Sequence, residues 1–349
     1  MRIAFHSSYL GYRGTEVALM DYARGAQEVL GQQAFFLMPW AEAADRHPVA
    51  ARMREIAPLR FYRSADEREG ILREEGADFF YGIKNGWNDG VYSQRVPTGI
   101  HAIFRESEFH GDIYAYVSSW LSDVMAHGQA EWVPHMVRLG EAEGDLRTEW
   151  NIEPEATVFG RHGGDDSFDI PWVRQLVVET ARKNSDVWFL FLNTRPFPGA
   201  FGLPNIRFLP ATADPVRKRR FLNSCDAMLH GRQRGETFGL SCLEFAMLGK
   251  PVLTYGASPE RAHLEILGDR AVTYQNAEEL KKRLGDVNWL DGFSGGKVWE
   301  SKETSGRKEK PQPSTGADPK FADYQPEAVM KRFWKVFLEP VSSSARRTD

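Results

Sequence analysis

Two carboxylates pose the first chemical question. In "RQRGETFGLSCLEFAMLGKPVLTYG" (Arg232–Gly256), Glu236 and Glu244 have seven residues between them, and from Thr237 to Gly249 every residue except Glu244 is apolar, glycine or small and polar. A carboxylate buried without a partner is expensive, so Glu244 requires one. Two kinds satisfy the chemistry: an arginine or backbone group inside the fold, or a ligand with vicinal hydroxyls such as a ribose, whose two O–H groups one carboxylate accepts together. At helical spacing Glu244 falls beside Leu240, Leu243 and Met247, on the apolar stripe. "CDAMLH" just upstream reads as a strand and Leu240 onward as a helix, which makes Gly231–Gly239 the loop between them. The first N–H groups of a helix attract phosphate, and Gly239 lets a ligand approach the backbone without a Cβ in the way. Glu236 then faces whatever lies beyond the phosphates. A nucleotide sugar supplies these parts in order: ribose, diphosphate, hexose.

The elements that must position this loop alternate along the chain. In the N-terminal half, "RIAFHS", "QAFFLMP", "LRFYR" and "ADFFYGI" read as strands, separated by helical stretches such as "TEVALMDYARGAQEVLG" and "DEREGILREEG". "TGIHAIFRE" and "DIYAYVSSWLSDVM" continue the pattern. The alternation restarts after "EWVPHMVRLGEAEG", with "ATVFGRHGG", "NIRFLP" and the continuous apolar run "DVWFLFLN" of a strand buried on both faces. The fold class expected is α/β, with two doubly wound parallel-sheet units in tandem: residues 1–140, then 141–290. The Gly-, Ser-, Lys- and Pro-rich segment 291–325 is expected to be a flexible loop, 326–338 a helix opened by Pro326 that returns to the first unit, and 341–349 a disordered tail.

Composition excludes several classes of function. Hydrophobic residues make up 42% and charged residues 26%, with a net charge of −4 and both signs interspersed, which is no footprint for nucleic acid. The two cysteines, Cys225 and Cys242, imply no disulfide framework and read as small apolar packing groups in a reducing compartment. The N-terminus lacks the apolar stretch of a secretion signal, and no apolar run approaches the roughly 18–20 residues that span a bilayer. The location expected is cytoplasmic, with peripheral contact to a membrane left open. There is no phosphate-binding G-x-x-x-x-G-K-[ST] loop, no nucleophile elbow and no zinc spacing. Asp165 and Asp166 beside His162 could hold a metal, but adjacent acids in a glycine-rich loop are more often solvated or capping residues, and none is expected.

The pair Glu236 and Glu244, in "ETFGLSCLEFAMLGKPV" after "CDAMLH", resembles the E-x7-E region of retaining GT-B glycosyltransferases of family 4. "GYRGTEVALMDYA" is similar to the family's N-terminal glycine loop and helix, "VFGRHGG" to the arginine-bearing loop opening its second domain, and "PEAVMKRFWKVF" to its C-terminal crossing helix. The resemblance implies two Rossmann-like domains facing a cleft, no cofactor or metal, and transfer of a hexose from a nucleotide-diphospho-sugar to a glycan, lipid-linked or small-molecule acceptor, in polysaccharide or glycoconjugate synthesis. Carried over, Glu236 contacts the hexose and Glu244 the ribose, the amides of Phe238, Gly239 and Leu240 hold the diphosphate or sugar, Arg161 neutralises the leaving diphosphate, and Gly14 admits the phosphates from the first domain. His101, in "TGIHAIFRE", is similar to a family histidine whose backbone or ring lies beside the anomeric carbon; the alternative is a core histidine, and His110 is a rival in a more polar loop. The chain departs from the family in lacking a lysine a few residues after Arg161, where it reads "RHGGDDSFDI", and His162 and Arg232 are the candidates to replace it. The double glycine of the N-terminal loop is also reduced to Arg13-Gly14. Two other functions fit the same fold: a nucleotide-sugar epimerase, or a non-catalytic nucleotide-sugar-binding protein.

Overall fold

A computed structural model describes residues 1–42, 44–293 and 318–345. The chain divides into two compact units between Arg138 and Leu139, with Glu236–Phe238 and the residues from Ala322 onward grouping with the first. In the first unit, strands β1 (Arg2–Ser7), β2 (Gln33–Pro39), β3 (Leu59–Tyr62), β4 (Phe79–Lys84), β5 (Thr98–Ala102) and β6 (Ile113–Tyr116) form one parallel sheet in the order β3-β2-β1-β4-β5-β6. Helices α1 (Gly14–Glu28), α2 (Pro48–Ile56) and α3 (Ala65–Glu74) connect β1 to β4 in turn, loops join β4, β5 and β6, and α4 (Ser119–Ala126) follows β6. Their starts are written locally: the Ser64 and Ser118 hydroxyls accept the N–H groups of Glu67 and Leu121, and Pro48 opens α2 with His47 as its cap.

The second unit repeats the plan. Strands β7 (Thr157–His162), β8 (Val187–Leu192), β9 (Ile206–Leu209) and β10 (Ala227–His230), with Val252–Tyr255 and Ala271–Tyr274, form a six-stranded sheet. Its order runs from Ala271–Tyr274 through Val252–Tyr255, β10, β7 and β8 to β9, and every pairing is parallel. All six residues of β8 are buried, as a strand covered by helices on both faces requires. Helices α5 (Pro171–Lys183), α6 (Pro215–Ser224) and α7 (Leu240–Met247) precede the helices Ala262–Leu267 and Ala277–Gly285. Strand order reverses between β1 and β4 in the first sheet and between β7 and β10 in the second. Those reversals are the points where loops diverge from the carboxyl ends of neighbouring strands and leave a crevice. Among the described residues no helix is long and apolar enough to cross a membrane.

Two expectations need correction. Most of the expected loop 291–325 lies at 294–317, outside the described residues, but 319–324 forms a short turn of helix, because Phe321 is buried and Arg270 pairs with Asp318 at 2.7 Å. The C-terminal helix Pro326–Phe333 also runs further than expected. It widens to π-helical turns over Trp334–Leu338 and continues as Glu339–Ala345, so 341–345 are helical where a tail was expected. The wider turn before Pro340 accommodates a ring that would clash with a regular helix. Residues 346–349 lie outside the described residues.

At the reversal of the second sheet, Gly160 of β7 faces α7. A Cβ there would stand 2.3 Å from Cys225 Sγ and 3.0 Å from the Phe245 ring. Gly160→Ala is therefore expected to destabilise the second unit by about 1–3 kcal/mol in urea denaturation. An unchanged midpoint would mean that this contact yields without strain.

Candidate functional site

The crevice of the second unit is built from the ends of β7 and β10 and the start of α7. Loop 231–239 is fixed before it reaches the helix: Asp169 N–H donates to the Gly231 carbonyl at 3.0 Å, and Gln233 N–H donates to Asp169 Oδ1 at 2.7 Å. Gly235 has φ +79°, and a Cβ there would lie 2.0 Å from the Glu260 carbonyl oxygen, so only glycine fits. Gly239, at φ +95°, turns the chain into α7 and leaves the first N–H groups of that helix without intrahelical acceptors.

Glu244 lies one turn into α7 and is 3% exposed. Its partners lie within the same unit. Lys218 Nζ, from α6, donates to Oε1, and His162 Nε2, at the end of β7, stands 2.8 Å from Oε2 but off the line of a good hydrogen bond. Oε2 is thus buried beside a ring and has no aligned donor. Burial pushes the carboxyl upward, but Lys218 and then His162 outweigh it and hold the group down at about 2. Burial also lowers His162, against the pull of Glu244, and its ring stacks on Phe245 with centroids 5.9 Å apart. Lys218 was not legible as a site residue. It belongs to "VRKRRF", a run of four cations that reads as a solvated face, and the one signal was Phe221 and Leu222, three and four residues on, which share its side of the helix and are buried.

Arg161 is placed differently from the expectation. Its guanidinium is buried, donating to Thr194 Oγ1 at 2.5 Å, Ser167 Oγ at 2.5 Å, the Gly164 carbonyl at 3.0 Å and the Asn193 carbonyl at 3.5 Å. It ties the loop after β7 to the loop after β8, and its charge lies beneath the crevice. Asp165 accepts Arg195 Nε at 2.6 Å and Asp166 is exposed; among the described residues no group of three His, Cys, Asp or Glu side chains could hold a metal ion. Both cysteines are buried and form no disulfide.

The remaining expected residues fall in the first unit. Glu236 is half-buried, and Phe238 is buried with its ring edge-on to His135 and Tyr324 at 5.3 and 5.9 Å. Thr237 between them donates to the Ile103 carbonyl at 2.6 Å and accepts from Ser118 Oγ at 2.7 Å, so the segment is held at the carboxyl end of β5. Gly14 is exposed at the start of α1, where Ser7 Oγ donates to the buried Glu16 at 3.1 Å and burial raises that carboxyl to about 7. His101 takes the core arrangement that was one of its two readings. Its ring is fully buried, Nε2 donates to the Val133 carbonyl at 2.8 Å, and Nδ1 accepts from Tyr81 Oη at 2.6 Å. Because a carbonyl only accepts, the tautomer is fixed, and burial lowers the ring to about 4. The imidazole is held within the core of the first unit. His110 is also largely buried, with Nδ1 on the Glu108 carbonyl.

No protein-family model and no curated protein matches this sequence. Solved structures do. The chain is similar to HepE of Anabaena in complex with UDP-glucose, at 13% identity and TM-score 0.60, covering 100% of this chain and 99% of that one. It is similar to AviGT4, a glycosyltransferase of avilamycin A biosynthesis, at 12% identity and TM-score 0.60, with 98% of each chain covered. A Listeria monocytogenes protein assigned as a UDP-N-acetylglucosamine 2-epimerase aligns at 12% identity and TM-score 0.55, over 84% of this chain and 90% of that one. At these identities the likeness establishes the fold, two Rossmann-like parallel-sheet domains of the GT-B type.

The pairing of Glu244 fixes a pH dependence. Its folded value of about 2 lies below the ordinary carboxyl value of about 4.3, so its contribution is fully present above pH 4.3 and is lost as pH falls toward 2. The difference is on the order of 3 kcal/mol. Glu244→Gln is expected to flatten that limb of the stability–pH curve in denaturant titrations, and Lys218→Met to move it to higher pH. Parallel curves for the wild type and both variants would contradict the ion pair.

Proposed function

We propose that this protein is a retaining, metal-independent glycosyltransferase of the family 4 type, moving a hexose from a nucleoside diphosphate sugar to a hydroxyl acceptor in glycan or glycoconjugate synthesis. The observation that carries the reading is Glu244: a buried, ionised carboxylate at the reversal of a parallel sheet, one turn beyond a glycine-led helix start, with Oε2 lacking an aligned donor. A ribose hydroxyl is the kind of donor such an oxygen accepts. HepE, which shares the fold, was solved with UDP-glucose.

In this reading the chain's own groups divide the donor among them. Glu244 takes the ribose, the amides of Gly239 and Leu240 with that of Phe238 take the diphosphate, and Glu236 takes the hexose hydroxyls. Departure of the diphosphate develops negative charge, which the α7 N-terminus meets with oriented N–H groups. Arg161 adds positive charge from beneath the loop and keeps the loops after β7 and β8 in place, a positioning role and not a direct contact. Gly14 gives the α1 N-terminus an approach free of side chain. Because helix N–H groups and a guanidinium supply the neutralisation, a divalent ion is not required by the chemistry. An epimerase on the same fold is the second reading, favoured by the Listeria alignment alone.

Thermal-shift titration with UDP, GDP, ADP and TDP is expected to single out one diphosphate, since ligand binding to the native state raises stability with concentration. Glu244→Gln should weaken that ligand by about 1.5–3 kcal/mol. With the matching nucleotide sugar, free diphosphate should accumulate in saturating EDTA and the sugar should keep its anomeric configuration. Turnover that leaves the sugar–diphosphate bond intact would favour the epimerase, and indifference to all four diphosphates would overturn both.

A further inference from the structure

Among the described residues the first unit exposes four large aromatic side chains, each in a loop that leaves the carboxyl end of a strand. Tyr9 (69% exposed) follows β1, Trp40 (41%) follows β2, Trp87 (50%) lies in the loop after β4 and Phe109 (58%) in the loop after β5, where it packs on Tyr114 of β6. These strands are consecutive in the sheet, in the order β2-β1-β4-β5, and all run parallel, so the four loops leave one carboxyl edge. At about 4.8 Å between strands the row spans roughly 14 Å at its base. Single exposed hydrophobics are ordinary, but one ring on each of four adjacent strands, at the edge where such sheets bind ligands, forms a patch.

The rings are braced. Asn88 N–H donates to Glu108 Oε2 at 2.8 Å and Tyr114 Oη donates to the Gly86 carbonyl at 2.9 Å, which joins the Trp87 loop to the Phe109 loop. Phe109 packs on Tyr114 with centroids 4.6 Å apart, and the Arg63 guanidinium stands 4.5 Å over Trp40. Braced rings lose little freedom when a partner stacks on their open sides. The charge around them selects the partner. The four loops, residues 8–13, 40–47, 85–97 and 103–112, carry six Asp and Glu against four Arg, and Lys84, paired with Asp89, and Arg63, over Trp40, bring the surface close to neutral. An anionic membrane surface or a polyanion calls for a clear excess of cations. Uncharged sugar rings suit both features, with apolar C–H faces for the aromatics and hydroxyls for the carboxylates and amides.

We propose that Tyr9, Trp40, Trp87 and Phe109 form a stacking platform for an uncharged oligosaccharide acceptor several sugar rings long. The assignment rests on the glycosyltransferase reading and specifies its acceptor class. Calorimetric titration of the full chain with uncharged hexasaccharides of glucose, galactose, mannose and N-acetylglucosamine tests it. Binding of at least one is expected, and Trp87→Ala combined with Phe109→Ala should weaken it about tenfold or more, the scale of two lost ring contacts. Binding of the nucleoside diphosphate should stay within about twofold in the same variant, because neither ring is among the groups assigned to the nucleotide. Co-sedimentation with phosphatidylcholine–phosphatidylglycerol vesicles forms the other arm. If no hexasaccharide binds, if the double variant binds as the wild type does, or if the variant instead loses vesicle binding, the platform is overturned while intact nucleotide binding leaves the function reading standing. A wild type that binds no nucleoside diphosphate overturns that reading and the acceptor assignment together.

Discussion

Parallel strands cannot be joined by tight turns; each connection must return along the sheet, by a helix or, as between β4, β5 and β6 and between β8 and β9, by a loop of ten or more residues. The placement of every group discussed above follows from this constraint. With both faces of each sheet covered by helices, the strands become near-continuous apolar runs, and polar chemistry is driven to the loops at their carboxyl ends. Where strand order reverses, at β1 and β4 and again at β7 and β10, adjacent loops part and a crevice opens without any residue being selected to open it. Gly160, against Cys225 and Phe245, and Gly235, against the Glu260 carbonyl, show how little room remains behind that crevice.

Within the second unit, Glu244 illustrates how such a fold tolerates a charge. Removing a carboxylate from water is more expensive than one ion pair commonly repays, and truncating one partner of a buried pair leaves the other stranded. Lys218 reduces that cost by remaining partly exposed while its ammonium reaches Oε1, and His162 adds a polarisable neighbour at Oε2. The outcome is a carboxylate that stays ionised at neutral pH without exhausting its capacity to accept. With two side-chain partners for about four lone-pair sites, the carboxylate retains room to accept from a ligand.

How much of this was legible depended on whether local pattern or tertiary placement decided the matter. The strands were, because "VWFLFL" and "FFYGIK" carry their burial in their composition, and so was the strand–loop–helix around Glu244, because Gly239 and an apolar stripe bracket it. Lys218 was not, since one lysine in a run of four cations carries no mark of turning inward. His101 and Arg161 were legible as polar residues at strand ends, but not the Tyr81 hydroxyl and the Val133 and Asn193 carbonyls that engage them, which arrive from distant positions in the chain. The aromatic row escaped notice for the same reason: Tyr9, Trp40, Trp87 and Phe109 are neighbours only through strand order, which places β1 between β2 and β4. The C-terminal helix outran its reading because π-helical turns before Pro340 absorb a residue that ordinarily ends a helix.

The central claim is that Glu244 accepts a ribose hydroxyl, and removing that hydroxyl tests it most directly. Calorimetric affinities for the preferred nucleoside diphosphate and its 2′,3′-dideoxy analogue, each with wild type and with Glu244→Ala, form a double-mutant cycle in which one member is an atom of the ligand. The account predicts that the wild type discriminates against the dideoxy compound by about tenfold or more, as a charged acceptor losing its donor would, and that Glu244→Ala binds both compounds equally. Equal discrimination by the two proteins would contradict it, and would leave Glu244 as an internal counter-ion of Lys218 alone.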